Sequence, residues 1–303
     1  MAAPREFDQW LAFVGRFVEA FESGRRITAG AAEPPPGPPP GQAGPRVVIC
    51  APHPDDEMLT GGLALRLRQE AGCAVLVLAL TLGRDPARKE QRKEELAAAC
   101  RVAGFDWRLA AEPLAFPALR LELEADAAGW ERLLATVAGH LTAEPPVLVL
   151  LPHGGDGHPA HVAAHRLVLQ ALGRVSREKG GEVLVAETEY WRPLRDPNLL
   201  VGVASEDLAQ LIAALARHRG EIARHPYHLR QPARMMDAVR RGSELLAGFG
   251  QPAAGMVFGE LYRLGKVTGG KLVLPKMPAV LPPEERIDPA RLLSLFGQTL
   301  QAG

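Results

Sequence analysis

The chain has 303 residues, 47% of them hydrophobic, enough to bury a sizeable core in one large domain or two smaller ones. Lysine plus arginine equals aspartate plus glutamate at 35 each, so no global basic field invites nucleic acid. No apolar run approaches the ~20 residues of a membrane span, the N-terminus is too polar for a secretory signal, and Cys50, Cys73 and Cys100 lie in apolar patterns that suit buried free thiols; a soluble cytoplasmic protein is expected.

Phe7, Trp10, Leu11, Val14, Phe17, Val18 and Phe21 recur at helical spacing and predict an amphipathic helix over residues 5–24. Its aromatic stripe suits core packing or a partner interface. Pro34 to Gly41 reads PPPGPPPG, a stiff connector that cannot be a helix or a central strand. From Arg46 the pattern alternates. Strand 46–51 leads to helix 58–71 and strand 74–81 to helix 87–103, followed by a strand near 107–112 and a helix near 126–143. The apolar run 147–151 precedes a helix over 158–173, and 182–187 is another strand. Helices over 205–219 and 232–249 follow. Such alternation predicts a doubly wound, mostly parallel, Rossmann-like α/β sheet with helices on both faces. The expected organisation is an N-terminal helix over residues 1–30, a linker over 31–45, a catalytic domain over 46–270 and a proline-punctuated tail over 271–303.

Two turns carry chemistry. Arg46-Val47-Val48-Ile49-Cys50 runs into Ala51-Pro52-His53-Pro54-Asp55-Asp56-Glu57, one imidazole and three carboxylates at the carboxyl end of a strand, where open α/β sheets bind ligands. The acidic residues could merely cap the next helix, an account that suits Glu57. It does not explain His53, nor two adjacent carboxylates whose repulsion needs an offsetting cation. The second turn, Pro152 to His161, holds His153, Asp156, His158 and His161 on a glycine-rich segment, with His165 one helical turn later. Histidine and aspartate from two strand ends supply the three protein ligands of an open catalytic zinc. His161 and His165 alternate as the ligand from this side, and His153 either lines the pocket or shapes the turn. The first strand leads into His-Pro-Asp-Asp rather than a glycine fingerprint, which argues against a dinucleotide site.

The sequence resembles the PIG-L / LmbE-like family of zinc-dependent N-acetylglucosaminide deacetylases. His53-Pro54-Asp55-Asp56-Glu57 resembles its first signature and Gly157-His158-Pro159-Ala160-His161-Val162 its second, usually His-Pro-Asp-His. Thr81-Leu82-Gly83, Arg92-x-x-Glu95-Leu96 and His218 extend the likeness over roughly residues 46 to 220. The resemblance implies removal of the acetyl group from an N-acetylglucosamine-type amino sugar or its conjugate, with Zn2+ or another first-row divalent metal. It implies His53, Asp56 and His161 as metal ligands and Asp55 as general base towards the activated water. His158 would polarise the carbonyl oxygen or protonate the leaving amine. Arg92, Asp156, His153 and His218 are expected around the sugar, although Arg92 sits in a charge run that ordinarily marks a solvated helix face and His218 lies between two arginines. Family members are frequently oligomeric, and the aromatic helix could supply a homo-oligomer interface.

Two positions depart from the family. Ala160 stands where an aspartate would orient His158, and Asp156 stands where mycothiol-type members carry tyrosine, an oxyanion donor that an ionised aspartate cannot replace. Loss of such a donor is typically worth ~2.7–4 kcal/mol. Two further readings therefore stand beside deacetylation: an amidase on a larger thiol-sugar conjugate, and a degenerate member that binds sugar or metal without turnover.

Overall fold

A computed structural model describes residues 5–27, 44–112, 114–116, 119, 126–248, 250 and 252–297; the proline-rich linker lies outside them. Among the described residues nine strands form one sheet in the order β3-β2-β1-β4-β5-β7-β6-β9, with β8 paired to β7. The strands are β1 (Arg46–Ala51), β2 (Ala74–Ala79), β3 (Asp106–Leu109), β4 (Pro146–Pro152), β5 (Glu182–Thr188), β6 (Leu199–Gly202), β7 (Gly259–Thr268), β8 (Lys271–Val273) and β9 (Ala279–Leu281). The first five are parallel, and β7 runs antiparallel to both β5 and β6.

The parallel half is buried on both faces, which is why its strands read as continuous apolar runs rather than alternating ones. Val47 and Ile49 face one core layer, together with Leu63, Leu65 and Leu67 of α3 (Gly62–Ala71), Leu96 and Cys100 of α4 (Lys89–Ala103) and Leu211 of α7 (Ser205–Leu215). Val48 and Cys50 face the other, packed with Leu134 and Val137 of α5 (Ala127–Ala143) and Leu167 and Val168 of α6 (Pro159–Lys179). All three cysteines are buried free thiols. Because β1 lies between β2 and β4, the order of the sheet reverses at the β1/β4 boundary. The carboxyl ends of those two strands flank the crevice where such sheets bind ligands.

Several expectations are corrected. The helix read over 58–71 is two: α2 (Asp56–Leu59) and α3, broken at Thr60-Gly61. The break has a distant cause. The first amides of α3 are capped by β7, with Gly62 N–H donating to Glu260 Oε2 at 3.0 Å and Leu63 N–H to the Tyr262 hydroxyl at 3.1 Å. A Cβ on Gly62 would sit 2.7 Å from that Glu260 oxygen and 3.0 Å from Val203 Cγ2, so a larger residue would displace the carboxylate from the amide it accepts. The helix read over 205–219 ends at Leu215 and a short α8 (Arg219–Arg224) follows, while α9 (Tyr227–Leu246) contains Pro232 rather than starting there. The segment read as a tail joins the sheet through β8 and β9, and Ile287 and Leu292 are buried in the core. Strands of three residues are too short to show a period. The N-terminal helix, α1 (Glu6–Arg25), buries none of its residues, so its aromatic stripe is not part of the core. Among the described residues no helix is long and apolar enough to cross a membrane.

Candidate active site

The turn after β1 is held by its own residues and by the segment that follows β2. Thr81 Oγ1 donates to the Pro52 carbonyl at 2.8 Å, and the His53 amide donates to Asp56 Oδ2 at 2.9 Å. Between them Asp55 adopts φ 114°, a conformation that L-residues with side chains rarely accept. The turn after β4 runs directly into α6 with Pro159 in its first turn, as a fixed φ suits that position.

The two turns meet. One donor atom each from His53, Asp56 and His161 lie within 4.8 Å of one another. Asp56 Oδ2 is 3.4 Å from His53 Nδ1 and 3.4 Å from His161 Nε2. Ligands about 2.0–2.1 Å from a tetrahedral cation are roughly 3.4 Å apart, so both distances to Asp56 are compatible with a metal ion held between these residues. Both ring nitrogens of His161 are buried without a hydrogen-bond partner, a state that a metal on one side would resolve. Burial pushes the His161 pKa down against the pull of Asp56 and Asp156, a shift toward the neutral imidazole that metal binding needs. Burial alone would raise Asp56, but the His161 and His53 imidazoles and the His53 amide hold it below the ordinary value.

Asp156 is completely buried. Its Oδ1 lies 3.4 Å from His161 Nδ1 and accepts the His158 amide at 3.2 Å, and its Oδ2 accepts the Trp191 amide at 3.0 Å. The carboxylate thus stands beside the His161 ring nitrogen that faces away from Asp56, where it can orient the imidazole. Asp156 is therefore not on the cavity wall, contrary to the expectation that it contacts sugar. His153 is likewise spent on its turn, with Nδ1 accepting the Gly155 amide and Nε2 facing the Arg192 carbonyl at 2.9 Å. His218 is fully buried with Nε2 2.7 Å from Glu57 Oε1, and the other Glu57 oxygen accepts the Asp55 amide at 2.8 Å. Glu57 is thus a buried support of the Asp55 backbone, not a simple helix cap. His165 Nδ1 is committed to the Pro152 carbonyl at 3.0 Å and Glu187 at 3.2 Å, outside the convergent group.

A cavity of about 260 Å³ opens over His53, Asp56 and His161. Asp55, Arg92 and His158 line it, with Tyr190, Trp191, Glu221, Arg224, Tyr227 and Arg234. Burial and the neighbouring Asp56 push the Asp55 carboxyl well above its ordinary pKa, opposed by the Arg92 guanidinium 3.9 Å away. Arg92 also donates to the Pro54 carbonyl at 2.9 Å, so this member of a charge run is turned inward onto the motif. Burial, then the His161 and His53 rings, push His158 down to about 4. Tyr190 and Trp191 escaped the sequence reading although they directly follow β5, where the strand-end rule points. Glu221 and Tyr227 come from α8 and the start of α9, and no local signal marked them.

Sheet order, strand-end turns and a His-Asp-His group define a Rossmann-like α/β protein with a metal-compatible site at its switch point. Residues 48–172 match the PIG-L family, described as GlcNAc-PI de-N-acetylase. The chain is 30% identical over 201 residues to the 1D-myo-inositol 2-acetamido-2-deoxy-alpha-D-glucopyranoside deacetylase of Streptomyces avermitilis, covering 56% of this chain and 67% of that enzyme. Among solved structures, the conserved protein TT1542 from Thermus thermophilus superposes with a TM-score of 0.56 at 25% identity, covering 80% of this chain and all of that one. GalB, the 4-carboxy-2-hydroxymuconate hydratase of Pseudomonas putida KT2440, superposes with a TM-score of 0.53 at 20% identity over 73% of this chain and 95% of that one. The chain belongs to the PIG-L family, whose relatives matched here include deacetylases of N-acetylglucosaminides. The likeness to the hydratase shows the fold alone, so the reaction has to be argued from the site.

Proposed function

We propose that this protein is a zinc-dependent hydrolase that removes the N-acetyl group from an N-acetylglucosamine-type amino sugar or its conjugate. The observation that carries this reading is the convergence of His53, Asp56 and His161 beneath a cavity whose wall also holds Asp55 and His158. His53, Asp56 and His161 would hold the cation. When bound, it supplies Lewis acidity, lowering the pKa of water from 15.7 towards about 7.

The chain's own residues account for the remaining chemistry. A carboxyl with a raised pKa is the better proton acceptor near neutral pH, and Asp55 has that character. It takes a proton from water as the oxygen attacks the amide carbonyl, then returns it to the departing amine nitrogen. Acetate and the free amino sugar are the products. His158 is neutral at neutral pH, so its role is to donate an N–H to the carbonyl oxygen rather than to deliver a proton as imidazolium. Tyr227, whose hydroxyl is pushed up to about 12 by burial and by Asp55, stays a donor and suits a sugar hydroxyl. The cavity lies just below the ~300–1,000 Å³ of drug-sized ligand sites, which supports one pyranose ring inside and the aglycone outside. The Streptomyces relative makes an N-acetylglucosaminyl-inositol the first substrate to try.

The test is acetate release from N-acetylglucosamine and its inositol conjugate, with the metal stripped and then restored as zinc. Zinc-dependent release is expected, and His53→Ala is expected to lose both metal and activity. Sugar binding without release from either substrate would instead favour the non-catalytic reading raised by Ala160 and Asp156.

A further inference from the structure

Trp191 is 59% exposed, yet its indole is not idle. Its ring lies 5.8 Å from the His158 imidazole with the planes 19° apart, a face-to-face arrangement. His53 and His161 approach the same imidazole edge-on, at 5.4 and 4.9 Å with interplanar angles of 86° and 65°. His158 Nδ1 is buried and has no hydrogen-bond partner. A histidine's second side-chain torsion is broad, so a ring without such a partner has no fixed plane of its own. Both stacked residues are also tethered to one carboxylate, since Asp156 accepts the His158 amide on Oδ1 and the Trp191 amide on Oδ2.

We propose that Trp191 is a positioning residue for His158, its indole face setting the plane in which the imidazole meets the substrate. Offset stacking between aromatic rings is directional enough to select an orientation where no hydrogen bond does. The stacking leaves His158 Nδ1 without a hydrogen-bond partner in the protein. This inference rests on the reading that His158 acts on the amide carbonyl. The competing role for an exposed indole beside a sugar site is a stacking platform for the pyranose.

The two roles separate in the kinetics of the zinc-loaded full chain. Trp191→Ala is expected to lower kcat about tenfold or more with KM within about twofold, and Trp191→Phe to restore most of the loss, because a well-placed donor to a developing oxyanion contributes about 10²–10³-fold to kcat. A readout free of turnover accompanies it: the ring-current shift of the His158 Cε1 proton in NMR, assigned by its disappearance in His158→Ala. That resonance is expected to move downfield in Trp191→Ala and much less in Trp191→Phe. A raised KM with unchanged kcat, or a His158 resonance indifferent to Trp191→Ala, overturns the proposal. Failure of the wild-type protein to release acetate would sink the functional reading while leaving the shift measurement to decide the positioning.

Discussion

His218 Nε2 lies 2.7 Å from Glu57 Oε1, and both side chains are completely buried although 161 residues separate them. The pair stands directly behind the turn that carries Asp55, because the second Glu57 oxygen accepts the Asp55 amide. A residue held at φ 114° persists only where its surroundings over-determine it, and this carboxylate is one of the restraints. Glu57→Ala strands a buried imidazole and a buried amide. The expected cost is roughly 1–3 kcal/mol of stability. Turnover is expected to fall further than the folded fraction, because Asp55 loses its anchor. Comparing urea midpoints with kcat for Glu57→Ala and His218→Ala checks this; variants that lose stability at full kcat would show that the pair only supports the fold.

Asp55→Asn is expected to keep the metal and lose most of kcat. Asparagine tolerates positive φ better than most residues, so the turn survives the exchange. The substitution also removes a buried charge beside Asp56 and Glu57, so the melting temperature should stay level or rise. Metal content by mass spectrometry, scanning calorimetry and acetate release on one preparation decide it. An active Asp55→Asn enzyme would end the assigned role of that carboxylate.

His161 and His165 are expected to part company on metal content. His161→Ala removes one of three donor atoms within 4.8 Å of one another and should bind zinc poorly. His165→Ala removes contacts to the Pro152 carbonyl and Glu187, so it should retain zinc and lose thermal stability. Stripping the wild type should lower its own stability, since a ligand at 1,000 times its Kd contributes about 4 kcal/mol. Equal zinc loss in both variants would contradict the ligand set.

Glu260 predicts a pH dependence from behind the site. Burial pushes its carboxyl up to about 7, partly offset by the Tyr262 hydroxyl and Arg234. The folded chain thus holds a proton that the unfolded chain releases near 4.5. The sign follows from linkage: this contribution is present in full below about pH 4.5 and is lost as the pH rises through about 7. Between pH 5 and 8 the wild type should lose up to about 3 kcal/mol relative to Glu260→Gln, which cannot titrate. Urea unfolding of both proteins at the two pH values measures the difference, and parallel slopes would refute it.

Much of the site was legible because its residues are contiguous. His53 to Glu57 and His158 to His161 each lie where a strand-end turn enters its helix, and a buried β-branched or leucine-rich strand announces such a turn by composition alone. Less legible were side chains whose partners lie far along the chain or that fold back on their own turn. Asp156, His153 and His218 are of the right chemical type for a substrate wall, but each is spent inward, on His161, on its own turn and on Glu57 respectively. A type and a spacing do not state which way a side chain faces.

By itself, the sequence determined the alternating strands and helices, the two turns and the residue types gathered on them, because periodicity and strand-end chemistry are local. Only the tertiary structure decided that Arg92 turns inward, that Glu260 and Tyr262 break the helix after the first motif, and that Trp191 meets His158 face to face. Those relations span from about thirty to nearly two hundred residues, and they exist only once loop closure has been offset by burying the sheet.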